Sequence, residues 1–167
     1  SKLMEIFATS VESDDIRSNL SLELLSYILN SSSDELDTTV LYKTVDFCLE
    51  FIGFAFPHFQ ETILRFLCAC MGKKSLHDRI ISNFNPETFS NILDLSNSNA
   101  KILYCQFMTQ IPTLNDAILE NLQNLATSSS LDAELSAITT LSHLLQTQPP
   151  KNEILKILID ALTIVPL

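Results

Sequence analysis

The sequence contains no tryptophan and only two glycines, Gly53 and Gly72, among its 167 residues. Phosphate-cradling loops and folds with many tight turns need more glycine, because other residues rarely adopt the backbone conformations that such turns require. Leucine and isoleucine dominate an apolar share of 46%, which together with the scarcity of glycine favours helices over strands and is enough for a packed core. We therefore predict an all-α protein with about 8–10 helices.

Basic residues are also scarce. The chain has 10 Lys and Arg against 20 Asp and Glu, which gives a net charge of −10. Non-specific nucleic-acid binding and docking on anionic membranes both depend on Lys and Arg, so we expect no direct binding to nucleic acid or to a membrane. A basic or amphipathic protein segment is the kind of partner that this charge attracts.

Sequence signatures of catalysis are missing as well. There is no Gly-x-Ser-x-Gly motif, and the three histidines are scattered, without the flanking signature of a nucleophile and its base. Cys68 and Cys70 do not have the spacing of zinc ligands, since residues two apart on a helix point in different directions. We therefore predict that the protein is not an enzyme and that it holds no cofactor and no metal.

The cysteines do not form a disulfide framework. All four lie within apolar helical pattern, which favours a reducing compartment. The first thirty residues lack a basic start followed by an apolar run, so no signal peptide is predicted. These features indicate an intracellular protein, nuclear or cytoplasmic. The start at Ser1 without Met is compatible with a fragment of a longer protein.

The most apolar stretch, residues 45–71, carries charges that would be costly in lipid. These are Asp46, Glu50, Glu61 and Arg65. Pro57 lies in the middle of the stretch and discourages helix in the residue before it. The stretch therefore predicts two buried helices folded back on each other at Pro57, rather than a membrane span.

A pattern of residues recurs after the prolines. An acidic residue four positions on, and apolar residues six, seven and ten positions on, follow both Pro57 and Pro112. The matching residues are Glu61, Ile63, Leu64 and Leu67, and then Asp116, Ile118, Leu119 and Leu122; Ile92 and Leu93 follow Pro86 at two of these offsets, and Glu153 follows Pro149. Because proline suits the first helical turn, each proline is expected to end one helix and begin another.

The recurrence predicts a single helical domain, residues 1–167, built from repeated helix–proline–helix units. The N-terminal helices occupy 1–33, where a one-sided apolar stripe predicts a helix. The stripe consists of Ile16, Leu20, Leu24, Tyr27 and Ile28. The predicted units are 38–72, 73–96, 99–127 and 131–165.

These helical hairpins resemble the HEAT and armadillo α-solenoids, whose units run roughly 40–47 residues. The resemblance is architectural and covers residues 38–165. It implies irregular hairpins stacked as a short superhelix, with a curved surface that binds an extended or helical segment of a partner. A non-repetitive helical bundle with prolines at its helix starts is the alternative.

Two groups of residues are candidates for partner binding. Phe56 and Phe59 flank Pro57 and are expected to be partly exposed, whereas Phe47, Phe51 and Phe54 follow helical spacing and are expected in the core. The second group flanks the loop around 127–131 and predicts an acidic rim there. It consists of Asp116, Glu120, Asp132 and Glu134. Acids that merely complement helix N-termini are the alternative interpretation for this group.

The sequence thus favours a non-catalytic protein-interaction module, a scaffold or adaptor within a larger complex, which binds a partner peptide or helix. Two alternatives stay open. One is a self-associating domain, in which the apolar end Leu162–Leu167 contributes to a homodimer. The other is a peptide reader that resembles the VHS, ENTH and RNA-polymerase-tail-binding superhelical domains.

Overall fold

The computed structural model describes residues 20, 22–24, 26–27, 38–90, 92, 98–112, 115–127, 130–147 and 152–164. Most of the predicted N-terminal segment 1–33, Pro149 and residues 165–167 lie outside this part of the chain. Every regular element in the described ranges is a helix, so the all-α prediction is confirmed.

From Thr38 onward, the described chain forms eight α-helices, α1 to α8 in chain order, and one 3-10 helix. They are α1 (Thr38–Phe51), a 3-10 helix (Ile52–Phe54), α2 (Pro57–Met71), α3 (Lys74–Asn83), α4 (Pro86–Ser90), α5 (Ser98–Met108), α6 (Asp116–Ala126), α7 (Leu131–Thr147) and α8 (Asn152–Ile164).

Two of the prolines begin helices as predicted. Pro57 is the first residue of α2 and Pro86 is the first residue of α4, positions where the fixed backbone and the missing N–H of proline are harmless. The same prediction is wrong for Pro112, because α6 begins only at Asp116. Asn115 caps that helix: its side-chain oxygen accepts a hydrogen bond from the Ile118 backbone N–H at 2.9 Å, which is the preferred chemistry at a helix start.

The chain divides into two compact units, Ser1–Asn85 and Pro86–Leu167. This division falls inside the predicted unit 73–96, between α3 and α4. The single-domain organisation and the stacking of repeats stay predictions.

In the first unit, α1, α2 and α3 pack against one another. The side chains at the centre of this packing are fully buried. They include Val45, Cys48, Ile52, Ile63, Leu64, Phe66, Leu67, Cys70 and Ile80. The helical break at Pro57 within 45–71 is confirmed.

A polar cluster joins α1 to α3. The Arg79 guanidinium donates two hydrogen bonds to the Asp46 carboxylate, from Nε to Oδ1 at 2.8 Å and from Nη2 to Oδ2. Asn83 donates a third to Asp46, at 2.9 Å. The guanidinium also lies 4.9 Å from the centre of the Tyr42 ring, a cation–π geometry. Bidentate pairing of this kind fixes the orientation of one helix on the other.

The described residues of the N-terminal apolar stripe are exposed. Leu20, Leu24 and Tyr27 are 58%, 53% and 71% exposed, whereas Leu22 and Ser26, on the other side of this helical stretch, are buried. The predicted helix is confirmed at the described positions, and Ile16 and Ile28 of the stripe lie outside the described residues.

The second unit contains α4 to α8. Here α4 packs on α6, α5 on α7 and α6 on α8, and α7 also contacts α6 and α8. Phe89 stacks on Phe107 with ring centres 5.2 Å apart, and both rings are fully buried. The arrangement brings α6 and α8 side by side.

Candidate functional site

An open groove of about 360 Å³ lies between α6 and α8. Its lining residues are Asp116, Leu119, Glu120 and Gln123 from α6, and Lys156, Ile157 and Asp160 from α8.

Helical spacing explains how α6 lines one wall of the groove. Asp116, Glu120 and Gln123 are separated by four and three residues, so they lie above one another on one face of the helix. The core side of α6 carries Ile118 and Leu122, which are fully buried. The apolar periodicity of α6 therefore directs its acidic face toward the groove.

The opposite wall comes from α8. Lys156 and Asp160 are four residues apart and both are exposed, while Ile154 and Ala161 anchor the helix in the core at 1% exposure. Ile157, at 8% exposure, and Leu119 of α6, at 4%, form the apolar part of the lining.

The groove is acidic. It has three carboxylates, from Asp116, Glu120 and Asp160, and one ammonium group, from Lys156, which gives a local charge of −2. Within the described part of the chain, none of these four side chains forms an ion pair or a hydrogen bond. These charges are therefore available to an incoming ligand, and the excess of carboxylates attracts a cationic one.

The structure brings together only half of the predicted acidic rim. Asp116 and Glu120 line the groove. Asp132 and Glu134 lie in the first turn of α7 and are not part of the lining. The third carboxylate, Asp160, was not predicted. Its only sequence signal is its place four residues after Lys156, on the polar side of an apolar stripe.

The two candidate phenylalanines differ in exposure. Phe56 is 60% exposed, as expected, but the exposure predicted for Phe59 is wrong, since that side chain is 7% exposed. The Phe59 ring packs edge-on against Phe51, with ring centres 6.3 Å apart. Phe54, expected in the core, is 81% exposed, because the 3-10 helix Ile52–Phe54 interrupts the α-helical spacing after Phe51.

The cysteine thiols are free and mostly buried. Burial raises the pKa of Cys68 and of Cys105 to about 12, and it raises the pKa of Cys48 and Cys70 as well. At neutral pH all four are therefore protonated, and a protonated thiol is a poor nucleophile and a poor metal ligand. Among the described residues, no group of three or more His, Cys, Asp or Glu is arranged to hold a metal ion.

None of the described helices has both the length and the apolar character needed to cross a membrane. No family model, no curated protein and no solved structure matches this chain.

Proposed function

We propose that this chain is a non-catalytic protein-interaction module, a scaffold or adaptor, and that the groove between α6 and α8 holds a basic, amphipathic segment of a protein partner. The observation that carries the proposal is the composition of the groove. An apolar base of Leu119 and Ile157 is bordered by three carboxylates that have no partner among the described residues.

The apolar base of the groove determines that the side chain by which a partner is anchored is apolar. Leu119 and Ile157 are almost fully buried, so a partner gains mainly by removing its own apolar side chain from water. Burying one leucine-sized side chain contributes about 1.5–3 kcal/mol. A groove of about 360 Å³ holds only a few side chains, which fits a short segment of a partner.

The three carboxylates of the groove favour a positively charged partner. Exposed ion pairs contribute only about 0.2–1 kcal/mol each, so the rim selects for Lys and Arg and accelerates encounter more than it tightens binding. One apolar anchor and up to three exposed ion pairs contribute about 2–6 kcal/mol together, so the expected dissociation constant is on the order of millimolar. It should rise with ionic strength, because salt screens exposed charges.

The packing of the second unit supports a solenoid-like arrangement as part of this proposal. Three helices in a row pack against the helix two positions later in the chain, α4 on α6, α5 on α7 and α6 on α8. Equivalent helices of successive hairpins stack in this way in α-solenoids. A short HEAT- or armadillo-like superhelix is consistent with that pattern. The free cysteines fit an intracellular, reducing environment.

The test uses a synthetic helical peptide with a leucine stripe flanked by lysines, labelled with a fluorophore, and a second peptide of the same composition in scrambled order. Binding is measured by fluorescence anisotropy. We expect the segregated peptide to bind saturably and the scrambled peptide to bind at least about tenfold more weakly, since only the first presents an apolar anchor and basic flanks together.

Matched variants locate the binding. Glu120→Lys reverses a charge in the groove, and Glu50→Lys makes the same change on an exposed position of α1. We expect the first to weaken binding of the segregated peptide about tenfold and the second by less than about twofold. Equal losses would show that only the net charge matters, and equal binding of both peptides would show that the groove recognises no amphipathic segment; either result rejects the proposal.

A further inference from the structure

The outer face of α8 carries two parallel rows of exposed side chains. Leu155 and Ile159 are 52% and 53% exposed, and Lys156 and Asp160 are exposed as well. Each pair is separated by four residues, so each forms a row along the helix. Successive residues of an α-helix are rotated by about 100°, which places the apolar row on one flank of the outer face and the charged row on the other.

This face is complementary to itself. When two identical helices pack antiparallel about a two-fold axis, the same flank of each helix meets in the interface, and residue i contacts residue j while j contacts i. An axis near Ile157 therefore places Leu155 opposite Ile159 of the second copy. An axis one residue further on places Lys156 opposite Asp160 of the second copy. The two positions differ by about 1.5 Å along the helix, so one axis serves both rows.

The charged row is not engaged in ion pairs or side-chain hydrogen bonds within the described structure. Neither Lys156 nor Asp160 forms an ion pair or a side-chain hydrogen bond there. They are also in the less favourable order for pairing within one helix, because an acid that precedes a base by four residues interacts better with the helix dipole than the reverse. Across an antiparallel pair of helices the same two residues make two ion pairs.

From this self-complementarity we infer that the outer face of α8 is a homodimerisation surface, occupied by the α8 of a second copy of the chain. A helix of 13 residues is only about 20 Å long, so the interface belongs to the small, weakly associating class. Lys156 and Asp160 also line the proposed groove, so the two proposals share part of α8. Their tests stay distinguishable, because the peptide test depends on Glu120, which lies on α6 and not on this face.

The test is a charge-reversal series followed by sedimentation velocity at low ionic strength, over about 10–500 µM protein, the range in which a weak interface associates. We expect the unaltered chain to sediment as a monomer–dimer mixture. In the dimer, Lys156→Asp places an acidic residue opposite Asp160 of the other copy at both symmetry-related positions. Asp160→Lys places a basic residue opposite Lys156 of the other copy at both positions. Each variant alone should associate at least about tenfold more weakly.

An equimolar mixture of the two variants decides the question, because Asp at position 156 of one chain then faces Lys at position 160 of the other. We expect the mixture to regain the association of the unaltered chain. Lys74→Asp, an exposed change on α3, is the control and should associate normally. Circular dichroism verifies that every variant is folded. A monomeric unaltered chain, undiminished association of the single variants, or a mixture that stays monomeric would overturn the inference.

Discussion

Replacing Leu64 by aspartate tests the core of the first unit most directly. Leu64 lies on α2 and is fully buried. Removing a buried leucine side chain typically costs about 2–5 kcal/mol, including the cavity that is left. Placing an unpaired carboxyl group there adds at least about 2 kcal/mol, whether the group is charged or takes up a proton.

The sum of these two effects is comparable to the stability of the whole unit. At about 0.05–0.15 kcal/mol per residue, a unit the size of Ser1–Asn85 has a free energy of unfolding of about 4–13 kcal/mol. We therefore expect Leu64→Asp to unfold the first unit at 25 °C. Phe54→Asp is the matched control, because Phe54 is 81% exposed, and surface changes usually shift stability by no more than about 0.5 kcal/mol.

Hydrogen-exchange mass spectrometry gives the readout. Amides in residues 38–85 should lose protection in Leu64→Asp and keep it in Phe54→Asp. Urea titration of Leu64→Ala then measures the cavity contribution, expected as a fall of about 2–5 kcal/mol in the free energy of unfolding. A Leu64→Asp protein with unchanged protection and an unchanged urea midpoint would show that this packing of α2 is incorrect.

Three further predictions concern single local features. Asn115→Ala should lower the free energy of unfolding by about 1 kcal/mol, because α6 loses its N-terminal cap; an unchanged urea midpoint would mean that the cap is not used. Gly72→Ala should raise it by about 0.4–1 kcal/mol, because φ is −70° there and an added Cβ meets the Ala69 carbonyl at an ordinary 3.5 Å; a lower melting temperature would contradict this. Stability should also fall as pH rises above about 9, because the thiols of Cys68 and Cys105, whose pKa burial raises to about 12, ionise first in the unfolded chain; a melting temperature that is constant from pH 8 to pH 10.5 would refute it.

Local chemistry explains which parts of the fold could be predicted from the sequence. Pro57 and Pro86 fix the backbone of their own first helical turn, so the starts of α2 and α4 follow from single residues. The capping amide of Asn115 is equally local. The proline pattern, however, predicts a helix start at Pro112, three residues before the cap. The apolar residues at the recurring offsets after Pro57 include Ile63 and Leu64, and both are fully buried.

The groove could not be predicted to the same extent, because it is formed by helices that are distant in the chain. Asp116 and Glu120 belong to one face of α6 and could be chosen from spacing alone. Asp160 joins them only because α8 packs beside α6, and no local pattern records that contact. Likewise, the 3-10 helix Ile52–Phe54 ends the α-helical spacing after Phe51, and Phe54 is exposed. Phe59 lies in the first turn of a new helix, α2, and is buried where its ring packs against Phe51.

The buried cysteines have a consequence for measuring the motions of this protein. Cys48 and Cys70 are inaccessible in the first unit and Cys105 is inaccessible in the second. An alkylating reagent reaches each thiol only when the surrounding helices open, so its rate of modification reports the local opening free energy. Each unit thus contains at least one buried native cysteine whose rate of alkylation reports how often that unit opens. Two separate rates would reveal units that open independently, and one shared rate would reveal a single cooperative opening, without the introduction of any label.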